Sequence, residues 1–266
     1  MPTSFRPALR LQRIATRIVA AGLVFALVRG AYALDESGDA ESEMSSDKDE
    51  KIAFKLTPTW YSTTNEHAAI DVNLRANKDE NTGWIGVYRR GEAFQQGRLG
   101  YERTFQTDLA RITGSAQYAT RGFIGGSVQG EFGSQVFGIL GFGRTNLKPY
   151  FNLNFDPNDA ITVGGGVRLS KNTVVTVFQV RDDRSSLGQR ITHLVFRTRP
   201  DAKSRVTLDI FQKSGWNADD EELRPIRGTG AGLTYDYDPY FVRVVWDPKV
   251  NFSDNDMLRI AVGVRF

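Results

Sequence analysis

The last nine residues, Leu258-Arg259-Ile260-Ala261-Val262-Gly263-Val264-Arg265-Phe266, set the terms for the rest of the chain. Side chains of an extended strand point alternately to its two faces. Leu258, Ile260, Val262, Val264 and Phe266 therefore share one face, and Arg259, Ala261, Gly263 and Arg265 share the other. One face is greasy and the other is not. Chain ends are normally solvated and frayed, so an aromatic end on such a strand has to be held by a neighbour. The buried edge strand of a soluble sandwich would satisfy this too, but the same alternation runs on through the chain.

This stretch resembles the carboxy-terminal signature of Gram-negative outer-membrane β-barrel proteins, porins among them. In these proteins a terminal Phe, with apolar residues at every second position before it, is read by the barrel assembly machinery. The resemblance implies an outer-membrane location, an outer face against lipid and lipopolysaccharide, and an assembly signal made of Leu258, Ile260, Val262, Val264 and Phe266. It does not identify a subfamily.

From residue 51 onward the chain shows no amphipathic helix. Short alternating segments are separated by turn residues, the weak but repeated signature of a transmembrane barrel. Candidate strands are 51–62, 68–76, 83–90, 97–106, 109–119, 122–132, 135–143, 148–156, 160–169, 172–182, 189–199, 204–212, 228–237, 239–247 and 256–266. Fifteen cannot stand, because a bacterial barrel with both ends in the periplasm has an even number. Pro58 weakens the first, and the close-set group between 97 and 143 reads as long strands cut in two. The expectation is an all-β, antiparallel transmembrane barrel of 12 strands, with 14 as the alternative. With Phe266 in the periplasm, 170–172, 199–203 and 237–239 become periplasmic turns, while 183–188, 213–227 and 247–255 become extracellular loops. Segment 213–227 is then the longest connection and the candidate lid.

The amino-terminal stretch is a separate matter. Arg6, Arg10, Arg13 and Arg17, an apolar run from Ile18 to Val28, and Ala31-Tyr32-Ala33 make a secretory signal peptide over 1–33. The run is too short for a comfortable membrane span. Residues 34–50 hold eight acids and one lysine, too few apolar groups to order themselves, and read as a flexible acidic periplasmic tail. Removing the leader takes away five arginines and no acids, so 34 − 5 = 29 basic residues face 31 acidic ones and the net charge of +3 becomes −2. The basic balance belongs to the precursor, and nucleic acid is excluded as the partner it would otherwise suggest. With no cysteine there is no disulfide, thiolate metal site or lipidated cysteine.

The outward parity includes Ile161, Val163, Val167 and Leu169; Val206, Leu208 and Ile210; Leu233, Tyr235 and Tyr237; and Tyr240, Val242, Val244 and Trp246. The opposite parity lines the lumen. It carries Arg75, Arg98, Arg111, Arg168, Arg181, Arg197, Arg205, Arg243, Arg259 and Arg265, with the acids Asp71, Glu102, Glu131 and Asp209. Four acids cannot neutralise ten arginines one to one. A cationic wall lowers the barrier for anions, which points to a porin-like channel for small hydrophilic, anionic or sugar-like solutes. Paired charges filling a closed barrel, one that serves assembly or polysaccharide export, are the alternative. A lipid-modifying hydrolase needs a His beside a Ser; only His67 and His193 exist, His193 has no Ser at suitable spacing on its own strand, and His67 lies in a turn beside Glu66. No enzymatic activity, cofactor or metal is expected. The glycine runs Gly125-Gly126 and Gly164-Gly165-Gly166 lack the setting of a phosphate loop and suit sheet curvature instead.

Overall fold

The computed structural model describes residues 51–92, 94–151, 156–184, 187–217 and 223–266. The signal peptide and the acidic tail lie outside the described residues. The strands are β1 (Ala53–Thr63), β2 (Ala69–Lys78), β3 (Asn81–Arg90), β4 (Phe94–Gln106), β5 (Ala110–Ala119), β6 (Phe123–Phe132), β7 (Val136–Thr145), β8 (Ala160–Ser170), β9 (Thr173–Asp182), β10 (Arg190–Thr198), β11 (Ser204–Trp216), β12 (Pro225–Tyr237), β13 (Tyr240–Asp247) and β14 (Met257–Arg265). Each pairs antiparallel with its sequence neighbours, and β1 pairs with β14 to close the barrel. Closure leaves no strand edge unpaired.

The barrel has 14 strands, not 12. The group between 97 and 143 is four strands, β4 to β7, rather than longer strands cut in two. Pro58 sits inside β1, where the pairing with β14 passes from Leu56–Val264 to Thr59–Ala261 with no partner at Thr57 or Pro58. The candidate that fails is 148–156. Residues 146–151 form no strand; 152–155 lie outside the described residues. The expected loop 213–227 is also shorter than its sequence suggests, because β11 runs to Trp216 and β12 begins at Pro225. The longest connection is 146–159 instead.

Connections at the end where β1 starts and β14 stops, the near end, are short: 79–80, 107–109, 133–135, 171–172, 199–203 and 238–239. Those at the far end include 146–159, 183–189, 217–224 and 248–256. The outer wall is apolar from strand to strand, with Ile85, Leu99, Ile124, Leu140, Val163, Leu194 and Leu233 all exposed. Rings mark both margins of this belt: Phe105, Phe132, Tyr237 and Tyr240 toward the near end, and Tyr118, Phe142, Trp216 and Trp246 toward the far end. Amphipathic rings favour the boundary between hydrocarbon and water.

Inside, four aromatic rings lie against a glycine of the neighbouring strand, and a fifth glycine, Gly164, meets the Cβ of Phe178. Trp84 pairs across strands with Gly100, Phe137 with Gly166, Phe178 with Gly164, Phe211 with Gly230, and Phe241 with Gly263. A Cβ on any of these five glycines would fall 2.1 to 2.4 Å from the paired aromatic side chain. The glycines therefore give the rings room to lie along the wall. We expect Gly164→Ala, which would also meet the Val177 carbonyl at 2.4 Å, to lower stability by about 1–3 kcal/mol. Gly138→Ala, with nothing within 4 Å of its Cβ, should be near neutral. Urea titration of the two refolded variants checks this, and equal midpoints would refute the packing role.

At the far end two apolar clusters occupy the barrel. Tyr61, Ala69, Tyr88, Val250 and Met257 form one, with Phe94 and Phe151 against it. Ile191, Phe211, Ile226, Val245 and Phe252 form the other. Val250 and Phe252 belong to a short 3-10 turn in the last far-end connection.

Candidate functional site

The segment after β7 enters the barrel instead of standing out from it. The Gln96 amide donates to the Pro149 carbonyl at 2.9 Å and accepts the Phe151 N–H at 2.8 Å. The Arg98 guanidinium donates to the Phe151 carbonyl at 3.1 Å and to Asp71. Tyr150 stacks on Phe123 with centroids 4.0 Å apart and donates its hydroxyl to Gln117 at 2.9 Å. Phe151 stacks on Tyr88 and meets Tyr61 edge-on. One short segment thus bridges from β7 to β1, β3, β4, β5 and β6. Farther along the connection, Asp156 reaches His193 Nε2 at 3.2 Å on β10. Asp209 holds the other ring nitrogen at 3.0 Å.

Both ends of the connection are clamped at the far rim. The Thr145 N–H donates to Asp159 at 3.0 Å, and Arg184 donates to Asp159 and to the Thr145 carbonyl, each at 2.8 Å. Arg144 donates to both oxygens of Asp183 at 2.6 Å, which holds that carboxyl below the usual range. Burial pushes the Asp159 carboxyl up, but hydrogen bonds from Thr145 and Arg184 outweigh it and leave it lowered. A carboxyl lowered by folding contributes stability above its unfolded value of about 3.9, and that contribution is lost as pH falls through the folded value. We expect protection of the Thr145 amide from hydrogen exchange to hold from neutral pH to about pH 5 and to fall below about pH 4. Arg184→Gln should move the fall to higher pH, and a loss of protection beginning near neutrality would contradict the clamp.

Most of the lumen arginines expected from the sequence lie on the inner wall, many of them paired. Arg98 faces Asp71 with both side chains fully buried, Arg75 faces Glu102 at 3.3 Å, and Arg168 faces Glu131 at 3.5 Å. Arg205 and Arg265 share Asp236. Arg181 is a correction. Val174, Thr176 and Phe178 of β9 face the chamber that holds His193, so Arg181 falls on the opposite parity, beside Ile161, Val163 and Gln179 on the outer wall. It sits one residue from the far end of β9, where a long cation reaches water along an apolar surface. The lumen also holds charges the sequence reading did not include: Asp236 and Asp247 on the acidic side, Lys55 and Lys213 on the basic side. Lys213 is buried against Asp247, and Lys55 lies over the Phe241 ring at 4.4 Å. Strict alternation from Tyr235 and Trp246 would have found both acids. Gln96 lies on the parity of Arg98 and Glu102, but nothing in the sequence says that a segment 53 residues away lands on it.

Pairing is incomplete. Among the described residues, Lys55, Arg111 and Arg243 have no acidic partner. Arg243 donates to Thr234 at 3.0 Å and is exposed within the barrel. Arg111 and Arg243, together with Arg168, Arg197 and Arg259, border a chamber of about 420 Å³ whose acids are Glu131, Asp156, Asp209 and Asp247. Leu258, Ile260, Val262 and Val264 are half-buried on the face of β14 opposite Ala261 and Arg265. Phe266 stacks on Phe54 at 5.7 Å, and their backbones exchange hydrogen bonds, seating the last residue on the first strand. Among the described residues, no group of three or more His, Asp or Glu could hold a metal ion.

No family model and no curated protein matches the sequence. Among solved structures, the fold is similar to the Acinetobacter baumannii outer membrane protein Omp33, with a TM-score of 0.50 and 8% identity over 82% of this chain and 100% of that one. Also similar are the KdgM porin in complex with disordered oligogalacturonate, at TM-score 0.44 and 6% identity over 80% and 99% of the two chains, and a Rh. blastica porin variant, at 0.45 and 8% over 81% and 99%. The likeness to Omp33 speaks to architecture, and the architecture is that of bacterial outer-membrane β-barrels.

Proposed function

We propose that the protein is a porin-like channel of the bacterial outer membrane that passes small hydrophilic solutes and favours anionic or sugar-like ones. The observation that carries this reading is the set of lumen cations with no acidic partner among the described residues: Lys55, Arg111 and Arg243. All three lie toward the near end, which on this reading opens to the periplasm. The inward segment 146–151 narrows the opposite half. Uncompensated guanidinium groups along an aqueous path lower the barrier for anions and raise it for cations. Lipid and lipopolysaccharide would contact the apolar outer belt, and the assembly machinery would read Leu258, Ile260, Val262, Val264 and Phe266. An enzymatic role is not part of the proposal: both ring nitrogens of His193 are engaged by carboxylates, so neither is placed to take a proton from a nucleophile.

Planar-bilayer recordings of refolded protein test the proposal. We expect discrete conductance steps that favour chloride over potassium, and a reversal toward cation selectivity in the Arg111→Glu/Arg243→Glu variant. Cation selectivity in the parent protein, or silence from a barrel shown to be folded, would overturn it. Silence would favour the closed barrel of paired charges.

A further inference from the structure

Charge is least balanced at the strand by which the chain enters the barrel. Lys55 is the third residue of β1, and its partners across the sheet are Arg265 on β14 and Arg75 on β2. Like charges directly opposite one another are destabilising, so a row of three cations calls for anions. Arg75 has Glu102 on β4, and Arg265 has Asp236 on β12. Lys55, in the middle, has no acidic partner among the described residues and lies over the Phe241 ring. Arg243 stands two strands away on β13, and Arg111 four strands away in the other direction on β5. The stretch that precedes β1 has the opposite charge. Residues 34–50 hold eight acids and one lysine, and only Lys51 and Ile52 separate Glu50 from Ala53, where β1 begins. Because β1 begins at the near end, the acidic stretch joins the barrel beside the Arg265–Lys55–Arg75 row. Its length is ample. The 17 residues of 34–50 can span up to about 56–61 Å at roughly 3.3–3.6 Å per residue. Arg243, the fourth residue of β13, lies only about 10 Å below the near rim at a strand's rise of roughly 3.3 Å per residue.

We propose that segment 34–50 docks in the near-end mouth, where its carboxylates meet Lys55, Arg111 and Arg243, and that the docked segment closes the path to solute. Covalent attachment makes the docking intramolecular, with an effective concentration on the order of millimolar, and arginine holds a carboxylate through two parallel hydrogen bonds. Docking follows from the charges alone. Closure rests on the channel reading and says how that path is regulated. The open level is the barrel with the segment displaced, so the cationic mouth and its preference for anions are unchanged when the path is open. Anionic solutes compete with the segment for the same three cations, so the channel opens more as they accumulate.

The test uses protein extracted from outer membranes with residues 34–50 in place. The chain has no cysteine, so Ser45→Cys carries a single spin label within the segment. We expect the label to be immobilised at about 0.1 M salt and mobile at about 1 M, where the Debye length falls from about 10 Å to about 3 Å. Exchanging the eight acids of the segment for their amides should free the label at both salt concentrations while leaving the barrel untouched, and Lys55→Gln/Arg243→Gln should free it in part. Planar-bilayer recordings read closure. The amide variant should spend several-fold less time closed than the parent, with the same chloride preference when open, and a synthetic 34–50 peptide added on the near side should restore the closures. A label that is mobile at every salt concentration overturns docking and leaves the three cations to solute anions. A label that stays immobilised in folded Lys55→Gln/Arg243→Gln protein overturns the assigned site. Closures equal in the parent and the amide variant overturn the regulation and leave the channel reading standing. If the folded barrel conducts nothing in either form, the channel reading fails, and the label alone decides docking.

Discussion

Replacing Arg98 with leucine is expected to lower the stability of the folded barrel by about 3–5 kcal/mol, the range for breaking a buried ion pair by removing one partner. Three losses coincide in this one change. Asp71 keeps a buried carboxylate with its guanidinium gone, because both side chains of the pair are fully buried. The Phe151 carbonyl loses a donor at 3.1 Å. The inward segment loses one of its bonds to β4 while keeping those of Gln96, Tyr150 and Asn146 and its ring contacts. Urea midpoints of refolded protein measure the first loss. Current noise in a bilayer measures the last, since a segment held to β4 by fewer bonds fluctuates more across the path it narrows. The Asp71→Leu/Arg98→Met double variant separates the two. Removing both charges should recover most of the stability, because well-packed apolar replacements for a buried pair are often neutral. It should not quiet the current, because the Phe151 carbonyl still lacks its donor. An Arg98→Leu midpoint within about 1 kcal/mol of the parent, the ordinary size of a point substitution, would show that the pair bears little on the fold.

That anchor shows where reading the sequence stops being sufficient. Period-two alternation identifies wall strands well, because lipid outside and water or polar side chains inside impose opposite demands on neighbouring residues. All 14 strands are among the fifteen candidates it gave, although the count drawn from them was 12. It could not tell them from 148–156, where Phe151, Leu153 and Phe155 alternate with Asn152 and Asn154 as a strand would. At 146–151 the segment forms no strand, and the two rings it contributes there, Tyr150 and Phe151, pack inside the barrel on Phe123, Tyr88 and Tyr61 rather than outside on lipid. Alternation reports that a residue is apolar and not which medium it meets. The same limit explains Arg181. At the end of a strand an arginine on the outer parity reaches water, so the cost that excludes it at mid-depth does not apply. The charge imbalance changed for another reason. Asp236 and Asp247 sit on the inner parity of strands read mainly for their outer rings, and they pair with Arg205, Arg265 and Lys213. What survives of the imbalance is local: Lys55, Arg111 and Arg243 are three cations in the near half rather than a uniformly cationic tube.

The depth of the apolar belt can be measured directly. We expect Leu140→Arg to cost about 2–4 kcal/mol in lipid bilayers, the penalty for an arginine at the midplane of a barrel's lipid face. Leu140 is the fifth of ten residues in β7 and is exposed on the outer wall. The same substitution at Val136, also exposed but the first residue of that strand, should cost only about 0–1 kcal/mol, because near the interface the side chain reaches the headgroups. Gln129→Arg supplies the third point. Gln129 faces the chamber on β6, directly across from Gly141, so its arginine would enter water-filled space at the depth where Leu140 meets lipid. Reversible urea titration into phospholipid vesicles gives all three values on one scale. Equal costs at Leu140 and Val136 would mean that the outer wall does not lie in hydrocarbon. A cost at Gln129 as large as at Leu140 would mean that the chamber is dry, and with it would go the aqueous path on which the channel depends.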